Sequence, residues 1–290
     1  MRLFIFGAGY SGRAIAREAL AAGATVAGTT RLPEKAEELR AAGIRPLVFD
    51  GAALSDELLT ELAAATHLIA SAAPDPVDPV LAAARGVIVE KMPALRWIGY
   101  LSTVGVYGDH GGAWVGEEAP CRPVSRRSQL RVAAEREWLA LGREAGIPVA
   151  LLRLAGIYGP GRNPFLKLAE GSAHRIVKPG QVFNRIHVAD IAATLRAAIA
   201  RPAPRTYNVS DDEPAPPQDV VVHAADLMGV APPPEVAFAE ADLSPMARSF
   251  YASNRRISNR RIRDELGVAL AYPTYRDGLS ALWRGGTWRG

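Results

Sequence analysis

The sequence predicts an α/β fold in which a doubly wound parallel sheet carries a smaller C-terminal lobe, and three observations predict it. A short apolar run, Leu3-Phe4-Ile5-Phe6, stands directly before the turn Gly7-Ala8-Gly9-Tyr10-Ser11-Gly12. From there to Leu154, short apolar segments alternate with stretches of roughly 10–15 residues in helical pattern. Beyond Gly156 the alternation gives way to proline-rich segments. Strands separated by helices of that length pair in parallel, because each crossover returns the chain to the same end of the sheet.

Each element follows from its own signals. Residues 3–6 form the first strand, and the stretch from Arg13 reads as a helix that ends at Gly23. Residues 24–29, ATVAGT, are a second strand; Pro33 opens a helix to Ala42 that Gly43 stops; residues 46–49 are a third strand. A βαβαβ unit is thus complete by Asp50, the order of a Rossmann-type half. Ser55 caps a helix to Ala65, residues 67–70 form a fourth strand, and a proline-interrupted helix spans about 77–91. A fifth strand covers 96–101, a long helix 124–145 and a further apolar strand 148–154. The prolines at 201–205, 213–217 and 231–234 mark loops, and no internal repeat or low-complexity tract occurs. The expected organisation is a nucleotide-binding domain of residues 1–158 plus about 182–208, with about 159–181 and 209–290 forming the smaller lobe.

Composition narrows the function classes. With 290 residues, 49% hydrophobic and 22% charged, the chain can bury a large core in one or two lobes. The net charge is +4, but the arginines are dispersed and no basic run is interleaved with aromatics, which argues against a nucleic-acid surface. Cys121 is the only cysteine, so no internal disulfide forms, and His67, His110, His174, His187 and His223 fall at no metal-ligand spacing. A metal-free protein of a reducing cytoplasm is expected. No apolar stretch of about 18 residues occurs, and residues 3–6 are too short for the core of a secretion signal, so neither membrane association nor export is expected.

The glycine-rich turn carries the first functional reading. Gly7 allows a tight reversal, Gly9 lets backbone approach a pyrophosphate, and Gly12 lets the helix sit close on the strand, so that phosphate meets the helix N-terminus with Tyr10 and Ser11 at the contact. An NAD site places an acidic residue at the end of the second strand to hold ribose hydroxyls, whereas Thr29-Thr30-Arg31 offers hydroxyls and a guanidinium. Thr30 and Arg31 therefore favour NADP over NAD, since a 2′-phosphate accepts charge-assisted bonds; the other reading of Arg31 is a surface arginine before a proline-initiated helix. Ser71-Ala72-Ala73-Pro74 ends the fourth strand with small residues, which leave room for the cofactor.

Several downstream segments occur in the order found in extended short-chain dehydrogenases/reductases, and the chain resembles that family's nucleotide-sugar epimerase/dehydratase group over nearly its whole length. The segments are Leu101-Ser102-Thr103-Val104-Gly105-Val106-Tyr107-Gly108, Arg153-Leu-Ala-Gly-Ile-Tyr-Gly-Pro-Gly161, and Arg185-Ile-His-Val-Ala-Asp190. Near the end, Asn254-Arg-Arg-Ile-Ser-Asn-Arg-Arg-Ile, Glu265-Leu-Gly267 and Tyr272-Pro-Thr-Tyr-Arg-Asp-Gly278 look like an uncharacterised bacterial branch of atypical members. The resemblance implies that Thr103 is the catalytic hydroxyl, that Asp50 holds the adenine, and that Asn163 and Arg185 contact substrate. For Asp50 a turn cap is the other reading. Tyr107 is a substrate-contact candidate; it and Tyr158 could equally be buried tyrosines with satisfied hydroxyls. His187 reads as a structural hydrogen-bonder before a helix starting near Val188, and Asp190 complements that helix's dipole. Resembling proteins pair through the helices after the fourth and fifth strands, which implies a homodimer.

The chain also departs from the family. Its Tyr-x-x-x-Lys pair is replaced by Arg127 and Arg131, and a guanidinium stays protonated and cannot act as the general acid/base. Thr103 alone can bond a carbonyl but is a poor base. At helical spacing Arg127, Leu130, Arg131, Ala134, Trp138 and Leu141 share one stripe, so both arginines are expected to head an inward face. In one reading they snorkel at the helix start and Arg131 pairs with Glu135, worth about 0.2–0.5 kcal/mol. In the other they line the pocket and bind a carboxylate or phosphate. The expected function is an NADP-dependent oxidoreductase or epimerase/dehydratase acting on a small polar, anionic or nucleotide-linked molecule; the alternative is a non-catalytic NADP sensor.

Overall fold

The structure is a computed structural model that describes residues 1–290. Its organising element is β1 (Arg2–Phe6), whose Leu3 and Ile5 pack into one apolar cluster while Phe4 and Phe6 pack into another. Side chains alternate across a strand, so one that is apolar from Leu3 to Phe6 must be covered on both faces. Around it lie α1 (Tyr10–Ala21), β2 (Thr25–Thr30), α2 (Ala36–Ala41), β3 (Arg45–Val48), α3 (Asp56–Ala64), β4 (His67–Ala70), α4 (Pro79–Glu90) and β5 (Trp97–Thr103). A two-residue strand, β6 (Trp114–Val115), precedes α5 (Arg126–Ala145) and β7 (Val149–Leu154). The remainder comprises β8 (Gly156–Tyr158), α6 (Pro164–Ala169), β9 (Arg175–Val177), β10 (Arg185–His187), α7 (Val188–Ala200), β11 (Thr206–Val209), α8 (Pro217–Met228), β12 (Glu235–Ala237), α9 (Pro245–Phe250), β13 (Arg256–Ile257), α10 (Arg260–Asp264) and α11 (Tyr275–Arg284).

Seven strands form one parallel sheet in the order β11-β7-β5-β4-β1-β2-β3. The order reverses between β1 and β4, and a parallel sheet brings all its C-terminal strand ends to one edge, where open α/β sheets bind ligands. α1 and α7 cover one face through Ile15, Ala16, Ile191 and Leu195; α3, α4 and α5 cover the other through Leu58, Leu62, Leu81, Ile88, Trp138 and Leu141. Outside this sheet, β8 pairs with β10, β9 with β12 and β6 with β13. A separate apolar cluster of Tyr158, Phe165, Val220, Tyr275, Leu279, Leu282 and Trp288 joins α6, α8 and α11. No helix is long and apolar enough to cross a membrane.

Element boundaries depart from the sequence expectation where capping decides them. α1 starts at Tyr10 and not at Arg13, because Gly9 serves as its N-cap and the second half of the glycine turn is already the first helical turn. The stretch opened by Pro33 is a single 3-10 turn before α2. α4 begins at Pro79, since buried Asp78 accepts from the amides of Val80 and Leu81 at 3.0 and 3.1 Å. α5 begins at Arg126, where Ser125 caps the amide of Ser128 at 3.2 Å.

Candidate functional site

At the end of β1 the chain reverses through Gly7, whose φ of +82° suits glycine. The Gly7 amide donates to Thr29 Oγ1 at 2.9 Å and that of Ala8 to the Thr29 carbonyl at 2.8 Å, which locks the turn onto β2. The Gly9 amide donates to the Gly7 carbonyl at 2.8 Å, but the following three, of Tyr10, Ser11 and Gly12, find no acceptor in the protein, the N-cap offers no side chain, and the first turn of α1 holds no acidic residue. Helix-end donors left open in this way are an anion site in waiting. A β-carbon on Gly9 would meet nothing within 4 Å, whereas one on Gly12 would stand 3.0 Å from the Gly7 carbonyl oxygen. The first glycine therefore leaves space for a ligand, and the second lets helix and turn touch. These residues fit a dinucleotide's pyrophosphate.

The neighbouring strand ends complete the crevice. Ser71 donates its amide to the Phe6 carbonyl at 2.9 Å, and Ala72 N lies 3.2 Å from where a Gly7 β-carbon would be, so Ser71 and Ala72 form the wall facing the turn. Ala73 is exposed and Pro74 buried. At the end of β2, Thr30 Oγ1 accepts from the Leu32 amide at 3.2 Å, and Arg31 stands exposed with no hydrogen-bond or ion-pair partner. Asp50 Oδ1 caps a turn by accepting from Ala52 N at 2.9 Å. The phenol of Tyr10 donates to the Pro160 carbonyl at 2.9 Å and its ring lies 5.8 Å from the Arg162 guanidinium, so only its backbone is available to the crevice.

Thr103 ends β5, half-buried, with Oγ1 accepting from Gly105 N at 3.1 Å. The two arginines of α5 stand in different surroundings. Arg127 does not head an inward face: it is exposed, has no carboxylate partner, and lies 5.2 Å from the ring of Phe250 on α9. Arg131 does not pair with Glu135. Its Nη1 donates to the Leu101 carbonyl at 2.6 Å and to the Tyr100 hydroxyl at 3.0 Å, capping the end of β5 instead. Glu135 is drawn inward by Arg153, which donates from Nε at 3.0 Å and Nη2 at 2.7 Å, and by Ser102 Oγ at 2.6 Å. Desolvation makes that closer, bidentate partner win over a half-exposed one on the same helix.

Three substrate-contact candidates are occupied elsewhere. Tyr107 is fully buried and donates to Asn208 Oδ1 at 2.6 Å beneath the Arg153 guanidinium, and burial pushes its phenol up to about 12, so it is a core residue. Asn163 uses Nδ2 to hold the Gly159 and Trp288 carbonyls at 2.9 and 2.7 Å, which ties the chain's end to the loop after β8. Arg185 donates from Nη1 to the Phe183 and Ala215 carbonyls at 3.0 and 3.3 Å and lies against Tyr275. Tyr158 is likewise buried and donates to the Thr274 carbonyl at 3.3 Å. His187 Nδ1 caps α7 by accepting from Ala189 N at 3.3 Å, and burial pushes its pKa down to about 4. Asp190 goes beyond a dipole role, because its carboxylate also accepts from Ala271 N at 2.7 Å and Tyr272 N at 3.1 Å. No three of the His, Cys, Asp and Glu side chains stand together as a metal cage.

Sequence reasoning did not single out two residues that lie beside these candidates. Phe250 carries no local signal, and only its exposure beside Arg127 reveals it. Ser128, half-buried on α5, brings its hydroxyl beside Gly105; its position one residue past Arg127 was the available clue.

Comparison with known proteins agrees with this fold. A conserved protein of unknown function from Silicibacter pomeroyi DSS is 50% identical, with a TM-score of 0.90 over 98% of this chain and 99% of its own. UDP-glucuronic acid 4-epimerase from Bacillus cereus, solved in complex with NAD, shares the fold at 16% identity, with a TM-score of 0.78 over 98% of each chain. A 3-diazoavenalumate denitrifying reductase from Streptomyces sp is 31% identical over 162 residues, 52% of this chain and 51% of its own, so the chain spans about half the length of that curated relative. The model of the NAD dependent epimerase/dehydratase family matches residues 3–210. The chain belongs to that family.

Proposed function

We propose that this chain binds NADP and transfers hydride to or from a small, polar, anionic molecule. The observation that carries the reading is the trio of unclaimed amides at Tyr10, Ser11 and Gly12, set on the same edge of the sheet as the Thr103 hydroxyl. In this reading residues 1–158 plus about 182–208 hold the nucleotide and the rest shapes the substrate side. The amides take the pyrophosphate, the small residues Ser71 and Ala72 leave room for it, and the unpaired Arg31 with Thr30 takes a 2′-phosphate. A bound nicotinamide supplies or accepts the hydride. Thr103 bonds the oxygen of the reacting carbon, and Arg127, without a carboxylate of its own, takes the substrate's carboxylate or phosphate. The names of relatives that act as a reductase or were solved with NAD support hydride chemistry here.

A second reading, a non-catalytic NADP sensor, is favoured by one observation: positions 127 and 131 hold groups that cannot exchange a proton at neutral pH. Calorimetry with NADPH and NADH, followed by turnover assays with 2-keto acids, aldehydes and nucleotide sugars, decides between them. Tighter NADPH binding with turnover is expected. Tight binding without turnover selects the sensor, and failure to bind either nucleotide overturns both.

A further inference from the structure

We propose that the hollow beside the β6 and β13 pair, at the β11 edge of the sheet, binds a planar aromatic carboxylate, with Trp114 stacking on its ring and Arg260 taking its charge. The hollow measures about 350 Å³, and Trp114, Asp212, Ser258, Asn259, Arg260 and Arg263 are among the residues that line it. That volume lies at the lower end of the roughly 300–1,000 Å³ typical of small-ligand sites, so it suits a molecule of one or two rings. It is separate from the phosphate turn. Asp211 and Asp212, on its wall, follow the outermost strand β11, which stands four places from β1 and so about 19 Å across the sheet.

The strand pair fixes where the indole points. Trp114 pairs with Arg256 and Val115 with Ile257, and the Ser258 amide continues the ladder by donating to the Val115 carbonyl at 2.9 Å. Side chains alternate across strands, so Val115 and Ile257 enter the core at 2% and 1% exposure, while Trp114, Arg256 and Ser258 share the opposite face. Trp114 is left 62% exposed, whereas the other four tryptophans are buried or half-buried. An indole bared beside a hollow is a stacking surface, and a bound ring releases the water lying against it.

Charge then selects the ligand. Asp212 is already satisfied, because Oδ1 accepts from Asn259 Nδ2 at 2.7 Å and Oδ2 from Arg263 Nη1 at 3.3 Å. Asp211 is 1% exposed and lies beside the opposing charge of Arg185. Two cations remain. Arg260 is exposed with no carboxylate partner, and Arg256, across the ladder from Trp114, gives Nη1 to the Gly112 carbonyl and likewise lacks one. The hollow thus sets net positive charge next to a flat apolar face. A ring bearing a carboxylate matches both, since a guanidinium can bond both of its oxygens, whereas a neutral ring or a sugar leaves the cation unanswered.

The test titrates the full chain, without nucleotide, with 2-naphthoate, following the indole N–H signals by heteronuclear NMR and the affinity by calorimetry. The indole signal that is missing in Trp114→Phe should shift saturably at one equivalent of ligand. Arg260→Gln, a change at an exposed position that leaves the fold intact, should weaken binding about tenfold, the loss of a charged hydrogen bond. The uncharged analogue 2-naphthol should bind the unaltered protein about as weakly. No saturable shift of the Trp114 signal overturns the proposal, as does equal affinity for 2-naphthol or undiminished binding by Arg260→Gln. A Trp114 signal that moves with protein concentration alone, as the sedimentation coefficient rises, assigns this face to a second copy of the chain and overturns it too. None of these outcomes touches the hydride-transfer reading, which nucleotide binding and turnover decide.

Discussion

Replacing Glu135 by glutamine strikes the ion pair that fixes α5 against β5 and β7, and the structure sets the size of the effect. The Glu135 and Arg153 side chains are only 5% and 8% exposed. Glu135 accepts three hydrogen bonds there, two from Arg153 and one from Ser102, the residue before Thr103. Glutamine matches the volume but turns one acceptor into a donor facing donors, and it leaves the guanidinium charge buried without a counter-charge. Arg153 Nη1 already has no acceptor, so nothing local absorbs the loss. One-sided removal of a buried partner costs about 3–5 kcal/mol, whereas an exposed pair would cost about 0–1 kcal/mol. Urea denaturation followed by circular dichroism measures the difference as a shift in midpoint at constant slope. Glu135→Leu combined with Arg153→Met, which removes both charges, should recover most of the loss. A loss below about 1 kcal/mol in the single variant would refute the claim that this pair is desolvated and holds the helix in place.

Four further outcomes follow from the site and its surroundings. Arg31→Asp should weaken NADPH far more than NADH by calorimetry, by about 1.5–3 kcal/mol for one charged hydrogen bond, and equal losses would refute the 2′-phosphate role. Arg127→Tyr with Arg131→Lys should leave the nucleotide Kd nearly unchanged, and a collapse of binding would show that these arginines touch the cofactor. His187, held to about pKa 4 by burial, takes up its proton only on unfolding between pH 4 and its ordinary 6.5. Its stabilising contribution is therefore lost as pH falls through that window, and His187→Asn should flatten the fall in Tm between pH 7 and 4.5; parallel curves would refute it. Asp211 has the opposite sign. Burial, opposed by the Arg185 guanidinium, pushes its carboxyl up from 3.8 to about 8, so the folded state keeps a proton that the unfolded chain has released. Stability should decline as pH rises through that range, and Asp211→Asn should remove the decline in thermal melts.

The fold and the nucleotide turn were legible in the sequence because their causes are local. Glycine spacing, strand-to-helix alternation and caps such as Ser55 act within a few residues, and they led to the α/β architecture and to the crevice at Gly7–Gly12. Boundaries slipped where a cap decides them, as at Gly9, Asp78 and Ser125, and also at the fifth strand, which runs on to Thr103. The family motifs similarly located Thr103 at a strand end.

Partner choice was not legible, because it depends on which distant groups share a water-free environment. Helical spacing offered Glu135 to Arg131, but β5 and β7 brought Ser102 and Arg153 to it from 33 and 18 residues away. Tyr107 found its acceptor 101 residues on, and Arg185 one of its carbonyls 30 residues on. By itself the sequence determined the class of fold, the glycine turn after the first strand and the loss of the Tyr/Lys pair. Only the tertiary structure decided which polar side chains are consumed by the core and which, like Arg31 and Arg127, stand exposed without a charged partner. Desolvation makes that selection, since a charge or hydroxyl taken out of water must be satisfied by whatever group the fold places beside it.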